Sequence, residues 1–102
     1  MIEAIHKAIA DSLTGDDAPA LTVTAAGNLV RVAMRYASDA ALSKRASDDA
    51  AAVATLPGWR VLESCADYAA VPGVPINASP VVVSTVLAPA PRAQNTDPKP
   101  RR

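Results

Sequence analysis

The chain has no phenylalanine, one cysteine, one histidine and three aromatic residues, Tyr36, Trp59 and Tyr68. Each scarcity removes a class of chemistry. Cys65 alone allows neither an intrachain disulfide nor a pair of thiolates at metal-ligand spacing, and no second imidazole joins His6 to complete a zinc-type site. The glycines stand singly, so no GxGxxG or GxxxxGK[ST] loop is present to cradle a phosphate. No apolar run approaches the ~20 residues that cross a bilayer. The opening MIEAIHKAIADSL carries Glu3 and Asp11 where a signal peptide has a basic flank and an unbroken apolar stretch. The expectation is a protein made and kept in the cytosol or in a particle assembled there, with no metal, no cofactor and no membrane partner.

What the chain does have is alanine. Half of its 102 residues are apolar, but alanine removes little surface from water, whereas a large aliphatic side chain gains about 1.5–3 kcal/mol on burial. The core therefore leans on the isoleucines and leucines of the N-terminus, the valine runs, Met34 and Trp59. One such domain is only marginally stable at this length, so association with copies of itself or with other proteins is physically reasonable. Net charge is zero but unevenly divided: residues 1–87 carry six cations against nine acids, a net −3, and residues 88–102 carry four against one, a net +3.

Ile2, Ile5, Ile9 and Leu13 repeat at helical spacing and predict a helix over 2–14, with Thr14-Gly15 as its stop. LTVTAAGNLVRVAMRYA reads two ways. With period two, Leu21 and Val23, then Val30, Val32, Met34 and Tyr36, form a hairpin turning at Gly27-Asn28. With period 3.6, Arg31, Arg35 and Asp39 share a face of one helix running from Asn28 to Leu56. The hairpin is preferred, because β-branched residues cluster here and that helix is more than twice the usual length of about 11–12 residues. Ser38 is placed to cap a helix through DAALSKRASDDAAAVATL, with Leu42, Ala46, Ala50 and Val53 along its apolar side, and Leu56-Pro57-Gly58 ends it. WRVLES reads as a half-buried strand with Trp59, Val61 and Glu63 on one face, VPGVPINASP as a connection, and VVVSTVLA as the most strand-like run. The predicted class is α+β, a small mostly antiparallel sheet with two packed helices and an extended C-terminal arm. The predicted division is a domain over 1–87 and a Pro-rich basic arm over 88–102.

The residues that carry chemistry elsewhere have plain explanations here. His6 reads as a helix-edge residue and Cys65, in LESCADY, as a small buried hydrophobe. Asp16-Asp17 and Asp48-Asp49 read as a solvated turn and a solvated helix face, since neither lies in the oxygen-rich loop that calcium needs. Lys44-Arg45-Ala46-Ser47 reads as a charged helix face. No catalytic set emerges, so the expectation is a protein that is not an enzyme.

The arm is the strongest candidate for a function. Pro89, Pro91, Pro98 and Pro100 favour extended backbone and limit the entropy lost on docking. The predicted partner-binding residues are Pro89, Pro91, Arg92, Lys99, Pro100, Arg101 and Arg102. The cations suit nucleic acid less well than protein, because no aromatic residue stands among them to stack on bases.

MIEAIHKAIADSL, followed by turn, strands, an alanine-rich helix and further strands, resembles the small neck and tail-completion proteins of long-tailed bacteriophages. The resemblance implies a non-enzymatic part repeated around a symmetric assembly, contacting copies of itself and other assembly proteins. Ile2, Ile5 and Ile9 would fix the first helix and the arm would cross to a neighbour, placing the protein in a virion or the host cytoplasm. The competing expectation is a small inhibitor or adaptor that blocks a host enzyme by binding its surface.

Overall fold

The computed structural model of the chain describes residues 2–15 and 17–90. The isoleucine repeat forms α1 (Ile2–Ala10), with Ile5 and Ile9 buried. It is shorter than the periodicity predicts, because the Ser12 and Leu13 N–H groups turn to the carbonyls of Ile9 and Ala10, three residues back. That tighter winding ends the helix, yet Leu13 still packs against the core. Gly15 follows at φ 103°.

The hairpin reading holds over 20–36. β1 (Ala20–Ala26) and β2 (Leu29–Tyr36) pair antiparallel with Val23 opposite Val32, across a two-residue turn in which Gly27 takes φ 65°. Burial alternates along β2, with Val30, Val32, Met34 and Tyr36 inside and Arg31 and Arg35 out. A helix from Asn28 would have buried one of the arginines on the Arg31, Arg35, Asp39 side or left the valines exposed; the strand separates them by pleat alone.

The second helix, α2 (Asp39–Ala54), begins at Ser38, whose Oγ accepts the Ala41 N–H at 3.3 Å. Its buried side matches the one predicted at Val53, which is buried, and Leu42, which packs against the core, but differs elsewhere. Ala41, Asp49, Val53 and the following Leu56 are buried, while Ala46 and Ala50 face solvent.

After Gly58 the chain enters β3 (Trp59–Tyr68), crosses a connection containing a 3-10 turn at Ile76–Ala78, and returns as β4 (Val81–Pro89). The sheet order is β1-β2-β4-β3, antiparallel throughout. The molecule is therefore α+β, with two helices on a four-stranded sheet. Both helices lie on one face, where Ile5, Ile9, Ala41 and Val53 join Val30, Val32, Met34, Tyr36 and Leu87 in one core. No helix among the described residues is long and apolar enough to cross a membrane.

Two expectations about strands are corrected. β3 is not half-buried: only Trp59 is partly covered and the remaining nine residues are exposed. It is an edge strand: α1 packs by β1, and α2 touches both β2 and β3 but leaves the β3 side chains open. Nor do Val61 and Glu63 share a face. Val61 lies opposite Leu87 but Glu63 lies opposite Val86, because a bulge at Leu62 inserts one extra residue. β4 also runs two residues past Leu87: Ala88 is buried and Pro89 pairs with Trp59. Pro89 is tolerated because Ala90 donates to Gly58 O on the β3 side, so alternation turns the position of the missing Pro89 N–H toward β2, whose pairing stops at Val30. The other predicted partner-binding residues, Pro91, Arg92, Lys99, Pro100, Arg101 and Arg102, lie outside the described residues.

Candidate interaction surface

Buried polar side chains fix how α2 sits on the sheet. Asp49 is 2 % exposed. Its Oδ2 accepts the Tyr36 hydroxyl at 2.6 Å and Arg45 Nε at 2.8 Å, and its Oδ1 accepts a second Arg45 nitrogen at 3.2 Å. The remaining terminal nitrogen of Arg45 donates to the Thr14 carbonyl at 2.8 Å and so ties α2 to the turn after α1. Burial first, and the bond to Asp49 second, push the Tyr36 phenol well above its ordinary pKa. Asp49 is thus no solvated helix residue, unlike its exposed neighbour Asp48. A carboxylate survives here because a phenol and a guanidinium replace its lost hydration. The signal in the sequence was Arg45 four residues before Asp49, the spacing that pairs charges on a helix. What hid it was the assumption that acids mark the outer face.

The single histidine, His6, is exposed on α1. Cys65 is exposed as well, against the expectation of a buried position: it shares a row with Ser84 and Ala33 on the face of the sheet away from the helices. Among the described residues no group of three or more His, Cys, Asp or Glu side chains is placed to hold a metal ion.

The exposed apolar side chains concentrate in one part of the chain. Val61, Leu62, Tyr68, Val71, Val74 and Ile76 are each 38–54 % exposed, all on β3 or the connection after it. The Tyr68 hydroxyl donates to Asp39 at the start of α2, which raises the phenol pKa. Between α2 and β3 a cleft of about 200 Å³ is lined by Ala50, Val53, Ala54, Val61, Ser64 and Thr85. A shallower groove of about 330 Å³ runs beside α1, lined by Ala4, Ile5, Ala8, Leu56, Pro57 and Trp59.

The face of the sheet away from the helices has an ordered charge pattern. Residues directly opposite across an antiparallel ladder share a face, so the registers define rows. One row reads Arg35, Val82, Asp67; the next reads Ala33, Ser84, Cys65; the third reads Arg31, Val86, Glu63. Cations lie on β2, acids on β3, and half-buried valines and a serine on β4 between them. None of these four charges takes part in the ion pairs found among the described residues, which join Lys7 to Asp11, Lys44 to Asp17 and Arg45 to Asp49. No protein family, curated protein or solved structure matches the chain.

Proposed function

We propose that this is a non-enzymatic structural protein that works by holding neighbouring protein subunits, in the manner of a virion assembly part. The observation that carries the reading is the open β3 side of the sheet, where large apolar residues from Val61 to Ile76 stand exposed. Exposed apolar side chains gathered on one side of a sheet make a surface that gains from being covered. The small core, to which most of the alanines do not contribute, supports the same reading, since a weakly stabilised domain gains from association. The virion setting rests on the resemblance of the first helix and the element order to phage neck and tail-completion proteins. The arm beyond Ala90, with its positive charge, is assigned to contacts with the acidic body of a neighbour.

Sedimentation of the full chain, of a chain ending at Ala90, and of a Leu62→Ser, Val74→Ser, Ile76→Ser triple variant tests this. Association that rises with concentration and weakens in the triple variant is expected. A full chain that stays monomeric throughout would overturn the assembly reading, and a triple variant that associates like the parent would overturn the part given to these β3 and connection residues.

A further inference from the structure

The geometry points to a specific first neighbour: a second copy of this chain, packed face to face on the sheet surface that the helices leave bare. The inference rests on the assembly reading above and names the partner and its orientation. The argument is charge complementarity. Arg31 and Arg35 lie on β2, Glu63 and Asp67 lie on β3, and β4 runs midway between them. A two-fold axis parallel to β4, lying between two such faces, leaves height along the strands unchanged and exchanges left with right. It sets β2 of one copy over β3 of the other. Because Arg31 is level with Glu63 and Arg35 with Asp67, each arginine then faces the acid of its own row on the second copy, and four ion pairs form. Val82, Ser84 and Val86 meet their own counterparts on the axis, which gives the contact a partly apolar centre. Arg60, the remaining charge on this face, is opposite Ala88, one row beyond Glu63, and stays outside these pairs.

The alternatives fit less well. With the axis in the same plane but across the strands, β2 lies over β2 and arginine faces arginine. Edge-to-edge pairing through β3 meets the bulge at Leu62 and the charges of Arg60, Glu63 and Asp67, both of which are devices that protect a sheet edge. Face-to-face packing uses neither the edge nor the bulge. Sheets pack this way at ~10 Å, within reach of arginine and carboxylate side chains extended from both sides. Three overlapping strands make a planar footprint of about 14 by 23 Å. This is small beside the ~800 Å² per partner of a standard complex, so the contact is weak in solution and is strengthened by repetition in an assembly.

The test uses the full chain and two charge-reversal variants, Arg31→Glu with Arg35→Glu and Glu63→Lys with Asp67→Lys. Sedimentation equilibrium from about 10 μM to about 1 mM covers the range that a small interface populates. The parent is expected to form a dimer that weakens several-fold between ~0.05 and ~0.5 M salt. Each variant alone presents four like charges and is expected to associate at least about tenfold less tightly. An equimolar mixture of the two variants restores every pair and is expected to give a heterodimer at least as tight as the parent. Circular dichroism of each variant checks the fold, and the mixture keeps the test decisive because restoration requires both chains to be folded. If both variants dimerise like the parent, or their mixture does not recover, this arrangement is wrong while association through the β3 residues still stands. If the parent never associates, both readings fall together.

Discussion

Replacing Asp49 by alanine is expected to cost about 3–5 kcal/mol, the usual result of removing one partner from a buried charge pair. The size follows from what is left behind. Tyr36 is 1 % exposed and its hydroxyl loses its 2.6 Å acceptor. The Arg45 side chain is 14 % exposed and loses both contacts to the carboxylate. A domain of this size has only about 5–15 kcal/mol of stability in all, and each kcal/mol moves Tm by about 4–8 °C, so the variant is expected to melt far below the parent. Tyr36→Phe removes one hydrogen bond and leaves the Arg45–Asp49 pair intact, for a cost of about 1 kcal/mol. Once Asp49 is gone, deleting the Tyr36 hydroxyl is expected to cost nothing further, so the double variant shows coupling of about 1 kcal/mol. Urea unfolding followed by the fluorescence of Trp59, the one tryptophan, together with far-UV circular dichroism, measures all four proteins. An Asp49→Ala cost below about 0.5 kcal/mol, the range of ordinary surface substitutions, would refute the reasoning. It would mean that α2 is turned to bury Ala46 and Ala50, as the alanine pattern suggests.

The same network has a pH signature. The Tyr36 phenol holds its proton more tightly folded than unfolded, first through burial and then through the bond to Asp49. A group whose pKa rises on folding contributes stability that is complete below its unfolded pKa and is lost as pH rises toward the folded one. Stability is therefore expected to fall above about pH 10, with a slope approaching 1.4 kcal/mol per pH unit for one such group. The Tyr36→Phe variant is expected to lack this component, and alkaline melting curves that stay parallel for the two proteins would contradict it.

Ser38→Ala removes the acceptor of the Ala41 N–H and is expected to cost about 1 kcal/mol, seen as a Tm lower by about 4–8 °C; an unchanged Tm would mean that water replaces the cap. The Cys65 thiol is exposed and is expected to react with a chromogenic disulfide reagent in native buffer at low protein concentration, at a rate unaffected by mild denaturant. A reaction that waits for unfolding would show that β3 is covered.

The hairpin was legible in the sequence because its signal is local. Valines and arginines alternate over 29–36 around a glycine-containing turn, and pleat geometry alone separates them. The helix cap at Ser38 was legible for the same reason, since the capping side chain and its N–H lie three residues apart. The buried face of α2 was not. Leu42, Ala46, Ala50 and Val53 define an apolar stripe little better than the neighbouring alanines do, and the face is chosen by Tyr36, thirteen residues from Asp49, which offers a buried carboxylate its hydrogen bond. The exposure of β3 was hidden too, because WRVLES reads as a half-buried strand and only the order β1-β2-β4-β3 puts it at the edge.

The candidate surface divides along the same line. Arg31 and Arg35 on one strand, and Glu63 and Asp67 on another, are spaced four apart and plain in the sequence. Their alignment into rows is not, because it depends on β4 entering between β2 and β3 and on the single extra residue at Leu62 that sets Glu63 opposite Val86. Sequence alone determined the element types, the turn, the cap and the scarcity of large apolar side chains, all of which depend on residues within a few positions of one another. Tertiary structure decided which face of α2 is buried, which strand is the edge and which charges share a face, because each depends on contacts between segments far apart in the chain.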